Sequence, residues 1–206
     1  MARRSGPARA ERETEDATRS ALLEAAAKRY ARHGPRKTTM GEVARSAGLS
    51  RATVYKYFPN KDALYAALLG RITDDFVAEV KAALAEGGGT RETLRRIVEI
   101  THRVYARSPV LLGAIAEDDE MRIEGIAAGA MRRQETQVIS LLARVLKAGV
   151  EAGEIRAVDP KATAYLMYQL GNVLVVRELS GRRDFPLRKI LDAMDDLINF
   201  GLARTR

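Results

Sequence analysis

The side chains best equipped for chemistry crowd together between Thr39 and Lys61. This stretch holds Thr39, Ser50, Arg51, Ala52, Thr53, Tyr55, Lys56, Tyr57 and Lys61. They do not form the acid–base or nucleophile–base pairs that a reaction needs. They are hydroxyls, cations and small methyl-bearing groups, suited to docking a helix against a polyanion and touching the edges of bases. A helix entering the major groove needs a short or polar first turn so that its backbone can approach. Arg51, Ala52 and Thr53 supply such a turn. Arg51 has the paired donors that suit guanine O6 and N7, and it also has the reach for a phosphate. The methyls of Ala52 and Thr53 suit the thymine methyl.

Elsewhere the chain offers little for catalysis or metal binding. It has no cysteine and only two histidines, His33 and His102. Disulfides, thiolate metal sites and a cysteine nucleophile are therefore excluded, and no resident metal or cofactor is expected. Four consecutive acids, Glu117 to Glu120, point in different directions on a helix and read as a solvated cap or loop. Gly87-Gly88-Gly89 lacks the preceding strand and the Lys-Ser/Thr pair of a phosphate-binding loop, so it reads as a hinge or turn.

Charge is distributed unevenly. Residues 1–60 carry 13 Lys or Arg against 6 Asp or Glu, whereas the rest carry 22 against 21. A positive field confined to one end is the footprint of nucleic acid binding through phosphate neutralisation. With 46% hydrophobic and 30% charged residues the chain can bury a substantial core. No run approaches the roughly 20 apolar residues of a membrane span, and the start lacks the apolar segment of a signal peptide. A cytoplasmic protein without a membrane partner is expected.

The elements that must position these residues are all helical. Residues 1–16 are polar and read as a flexible arm. Helix 1 follows from the apolar spacing of Ala21, Leu22, Ala25, Ala26 and Tyr30, and it stops at His33-Gly34-Pro35. Thr39 and Glu42 stand in capping-box register for a short helix from Met40 to about Ala47. Gly48 turns the chain, Ser50 caps the next helix, and Phe58-Pro59 ends it. Asn60 opens a long helix, Thr90 and Ser108-Pro109 open two more, and a further segment covers about Met121 to Ala152. Asp159-Pro160 starts a helix to about Leu179, and a last helix carries a clean apolar stripe. The fold class is all-α: a three-helix, helix-turn-helix DNA-binding domain over 17–62 and a larger helical domain over 63–206.

The segment GEVARSAGLSRATVYKYFPNKDALYAAL closely resembles the DNA-binding part of the tetracycline-repressor (TetR) family. The Ala-Gly turn, the Thr-x-Tyr-x-Tyr-Phe run and the Asn-Lys-Asp-x-Leu continuation coincide in register, and the likeness covers about 50 residues. Gly149 to Pro160 resembles the family's link between its seventh and eighth helices. The resemblance implies a phosphate-gripping role for Thr39, Tyr55, Tyr57 and Lys61, with Ser50 and Lys56 beside them. Tyr57 also has a packing alternative, and Lys56 a solvated one. Gly41 departs from some members that carry a long base-reading side chain there, which shifts readout to the third helix; Arg3, Arg4, Arg9 and Arg12 of the arm read either as a solvated tail or as groups entering a minor groove.

Such a regulator works as a homodimer on a pseudo-palindromic operator in double-stranded DNA. The expected dimer interface comprises Leu166, Gln169 and Val173, and Leu187, Ile190, Leu191, Met194, Leu197 and Ile198 of the last helix. The resemblance further implies a small-molecule effector, of unknown identity, in the second domain. His102, Tyr105, Gln134, Tyr165, Tyr168 and Asn172 are polar or aromatic groups in apolar helices and are candidate pocket residues. The sequence reads as a ligand-responsive dimeric repressor, not an enzyme. The alternative is a dimeric DNA-binding structural or interaction protein without an effector.

Overall fold

The computed structural model describes residues 7–115 and 126–179, together with positions 189, 192, 193 and 196. Among these it contains helices α1 (Pro7–Lys37), α2 (Met40–Ser46), α3 (Arg51–Tyr57), α4 (Lys61–Ala85), α5 (Thr90–Arg107), α6 (Pro109–Ile115), α7 (Ile126–Glu151) and α8 (Pro160–Leu179), and no strand. The protein is all-α.

The caps read from sequence are largely in place. The Thr39 hydroxyl accepts from the Glu42 N–H at 3.2 Å while Glu42 accepts from the Thr39 N–H at 2.8 Å, a reciprocal capping box. At the other end of α2, Gly48 takes φ +67°, and Leu49 and Gly48 donate back to the carbonyls of Ala44 and Arg45. This left-handed C-terminal cap needs a glycine and sets the turn into α3. Ser50, Asn60 and Asp159 accept from backbone N–H groups in the first turns of α3, α4 and α8.

Two expectations change. Residues 7–16, read as part of an arm, are helical. Ala8, Arg9, Ala10, Glu11, Arg12 and Glu13 are strong helix formers, Pro7 suits the first helical position, and extending a helix already nucleated downstream carries no new nucleation cost. Residues 1–6 lie outside the described residues. The helix interrupts at Gly34, at φ +73°, so its regular part stops where the Gly-Pro pair predicted. Secondly, Thr90 does not cap α5. The capping position falls on Gly89, which has no side chain to offer, and Thr90 is the first helical residue. Residues 121–125 of the segment expected ahead of α7, and Glu117 to Glu120, lie outside the described residues.

Among the described residues, two apolar cores organise the helices. The first gathers Leu22, Leu23, Ala26 and Tyr30 of α1, Met40 and Val43 of α2, Val54 and Phe58 around α3, and Leu64, Tyr65, Leu68 and Leu69 of α4. The second gathers Phe76, Val77 and Val80 of α4 with Leu94, Ile97, Val104, Val138, Leu142 and Leu146 of α5 and α7. A division at residue 62 therefore cuts at the start of α4, whose first turns pack with the N-terminal helices. Ile72 and Met131 touch both cores, and Val110 of α6 and Ala130 of α7 are buried in the first.

Candidate DNA-reading surface and effector cavity

The helix-turn-helix buries one side of α3 and presents the other. Val54 is fully buried and Phe58 nearly so, which fixes the helix to α2 and α4. Arg51, Ala52, Tyr55 and Lys56 are consequently exposed on one outward surface, and Thr53 is half-buried. The Ser50 and Thr53 hydroxyls lie 2.8 Å apart, and Ser50 also accepts the Thr53 N–H. These two hydroxyls are thus partly committed to each other, leaving the Thr53 methyl as its free chemical feature.

The cations of this surface are held in position. The Arg51 guanidinium reaches the Tyr55 hydroxyl at 3.4 Å and lies 5.6 Å from the Tyr55 ring centroid, one helical turn on. Lys56 lies over the half-buried Tyr57 ring at 5.7 Å and pairs with Glu15 of α1 at 3.3 Å. Lys61 donates to the Arg36 carbonyl at 2.9 Å, joining the start of α4 to the end of α1. Thr39 is exposed beside α2 while engaged in its cap. The hydrogen bonds from Thr39 hold the Glu42 carboxyl below the usual carboxylate range, and Arg29 of α1 pairs with it at 2.8 Å. Sequence reasoning missed Glu15, Arg29 and Arg36 as anchors of the reading head, because each acts across a long stretch of chain.

The second core contains a small cavity with an open mouth. Phe76, Leu94 and Ile97 wall it on one side, Val138 and Leu142 on another, and Met167, Tyr168 and Asn172 of α8 close it. Of the six expected pocket residues, Tyr168 and Asn172 are on the lining, and Tyr105 and Gln134 are buried beside them. The buried Tyr105 hydroxyl donates to Asn172 Oδ1 at 2.9 Å, Gln134 lies beside Tyr105, and Asn172 faces Tyr168. Burial raises the pKa of both tyrosines. Gln134 is 2% exposed, yet neither its Oε1 nor its Nε2 makes a hydrogen bond of good geometry. His102, Tyr105, Gln134 and Tyr165 are not among the lining residues. Tyr165 is 50% exposed, turned by the helical period to the edge of the outward face of α8.

That outward face is apolar. Leu166, Leu170 and Val173 are exposed along it, whereas Gln169 is half-buried and donates to Glu135 of α7 at 3.0 Å. The remaining expected interface residues, Leu187, Ile190, Leu191, Met194, Leu197 and Ile198, lie outside the described residues. Among the described residues no cluster of His, Cys, Asp or Glu is arranged to hold a metal, and no helix is long and apolar enough to cross a membrane.

Residues 22–68, from within α1 through α2 and α3 into the first turns of α4, match the family model of bacterial regulatory proteins of the tetR family. This segment is a tetR-family DNA-binding domain. Among relatives of the whole chain, the transcriptional regulator YhgD of Bacillus subtilis is 25% identical over 75% of this chain and 80% of its own. The transcriptional repressor KstR2 of Rhodococcus jostii is 25% identical over 68% of each. A TetR-family transcription regulator from Marinobacter aquaeolei superposes with a TM-score of 0.64 at 26% identity, covering 94% of this chain and all of that one. A transcriptional regulator from Saccharomonospora viridis, solved with choline, shares the fold at 20% identity and a TM-score of 0.77, over 92% of this chain and all of its own. The protein is a DNA-binding transcriptional regulator.

Proposed function

We propose that the protein is a dimeric repressor, released from a two-fold operator when a small molecule enters the cavity of its second core. The observation carrying this reading is that α4 and α7 serve both ends of the molecule. Phe76 and Val138 wall the cavity, while Leu64, Tyr65, Leu68 and Leu69 of α4 and Ala130 of α7 are buried in the core of the reading head. Packed interiors transmit displacement rather than absorb it. A ligand that moves the wall of the cavity therefore moves the base of the helix-turn-helix, and the equilibrium shifts by its differential affinity for the two spacings of the reading heads.

In this reading Arg51, Ala52 and Thr53 face bases, and Thr39, Ser50, Tyr55, Lys56, Tyr57 and Lys61 face phosphates. The exposed stripe of Leu166, Leu170 and Val173 packs against its copy in the partner, extended by the last helix. KstR2, named as a repressor, and the choline complex from Saccharomonospora viridis support a repressor with a small-molecule site on this fold.

Selection from random duplexes tests the reading. The expected result is a two-fold symmetric site with half-sites about one helical turn apart, and an affinity that falls steeply with salt. A ligand present at 100 times its dissociation constant should add roughly 2.7 kcal/mol of stability and release the operator. Unselective binding from a monomer would overturn the dimeric reader, and ligand binding without operator release would overturn the switch.

A further inference from the structure

Resting on the effector reading above, the hydrogen-bond directions around the cavity specify the kind of ligand. Tyr105 donates its proton to Asn172 Oδ1, which fixes that amide with its oxygen towards Tyr105 and its N–H groups towards Tyr168. The Tyr168 oxygen faces an amide donor, so its own proton is left to point elsewhere, and Tyr168 borders the cavity. Thr101, also on the lining, spends its proton on the Ile97 carbonyl at 2.8 Å. Upstream, Gln134 sits beside the Tyr105 hydroxyl with its amide unpartnered and buried, able to donate into the same chain. The donors run from Tyr105 through Asn172 to Tyr168, a lining residue whose own proton is left for a group in the cavity or for the nearby Glu135 carboxylate.

The remaining described lining is hydrocarbon, and none of it is ionised. A carboxylate brought there loses its hydration with no cation to replace it, and an ammonium has no carboxylate on the lining; burying such a charge unpaired is heavily penalised. We infer that the cavity takes an uncharged apolar molecule bearing a hydrogen-bond acceptor such as a ketone, ester or lactone carbonyl, and that Tyr168 is the residue that recognises the acceptor. A neutral carbonyl accepts the Tyr168 proton, while its hydrocarbon body covers Phe76, Leu94 and Val138.

The test uses the full chain and four probes of similar size: acetophenone, ethylbenzene, benzoate and benzylammonium, with binding followed by ligand-observed NMR. Acetophenone should bind about tenfold more tightly than ethylbenzene, the ratio that one neutral hydrogen bond supplies. Tyr168→Phe should remove that ratio by weakening acetophenone while leaving ethylbenzene unchanged. A second variant, Asn172→Leu, leaves the Tyr168 hydroxyl in place but unoriented, and should shrink the ratio without abolishing it. Benzoate or benzylammonium binding as tightly as acetophenone would overturn the neutral-ligand inference and leave the effector reading standing. Binding by none of the four would overturn both.

Discussion

The carboxylate of Glu154 accepts the Thr90 N–H at 2.6 Å and thereby caps α5 from the connection that follows α7, across 64 positions of sequence. The residue before Thr90 is Gly89, which has no side-chain cap of its own, so the first turn of α5 depends on this distant carboxylate. The opposed charge suits the positive end of the helix. Because α5 walls the cavity, the contact also sets the position of Leu94 and Ile97.

Glu154→Ala should lower the melting temperature by a few degrees, and Glu154→Gln by less, because an amide oxygen still accepts. The Thr90 N–H lowers the Glu154 pKa, so the carboxyl stays ionised to lower pH when folded than when unfolded. The stabilisation is therefore complete above the unfolded carboxylate range and is lost as pH falls through the lower folded value. Melting curves of the wild type and Glu154→Ala should converge in acid. A constant difference at every pH would show that the charge plays no part.

Gly149 lies against the same turn, and a β-carbon added there would fall inside the contact distance of the Thr90 side chain, which is itself 6% exposed. Gly149→Ala should therefore cost about 1–3 kcal/mol of stability, measured by urea unfolding. Thr90→Ala in that background should recover part of the loss, giving a non-additive double-mutant cycle. Additive effects would mean that the two sites do not touch.

What could be read from sequence divides by distance along the chain. The caps at Thr39, Ser50, Asn60 and Asp159 were legible because donor and acceptor lie within one turn. The arrangement of α3 was legible because Val54 and Phe58 share a buried side, leaving Arg51 and Lys56 outside. Glu154 on Thr90, Glu15 on Lys56 and Lys61 on the Arg36 carbonyl were not legible, since each joins elements whose approach only the assembled fold decides. The helical run from Pro7 was hidden for another reason. Apolar periodicity reports which face packs, and a strong helix former with nothing to bury leaves no such signal. The expected pocket set was partly separable: Tyr105, Gln134, Tyr168 and Asn172 converge, whereas Tyr165 falls on the edge of the outward face of α8.

Gly41, in the first turn of α2, is not required by packing. A β-carbon there meets nothing within 4 Å, and its φ is not in the left-handed region. Gly41→Ala should stabilise the protein by up to about 1 kcal/mol through helix propensity, read as a higher urea midpoint. A destabilised variant would show that α2 holds Gly41 for a backbone reason.

Glu15 and Lys56 form an exposed pair, with side chains 56% and 67% accessible. Pairs of this kind are weak, so a phosphate can displace Glu15, at a small cost. Glu15→Gln should raise DNA affinity by at most about fivefold, equally on operator and random duplex, and steepen the salt dependence. A gain confined to the operator would mean that Lys56 reads a base.

Arg51 and Lys61 separate sequence reading from phosphate gripping. Arg51 leads the exposed turn of α3 and is held only by Tyr55, so a guanine edge can take up its remaining donors. Lys61 is half-buried at the start of α4, with one donor engaged by the Arg36 carbonyl and the others available to a phosphate. Arg51→Ala should weaken operator binding by roughly ten- to a hundredfold, relax one base position in each half-site, and change random-duplex binding little. Lys61→Ala should weaken both DNAs alike and lower the salt slope by about one. Tyr55→Phe, which removes the hydroxyl reached by Arg51, should give a smaller loss of the Arg51 kind. If Arg51→Ala instead weakens operator and random duplex equally, Arg51 contacts a phosphate, and base readout must pass to Ala52 and Thr53.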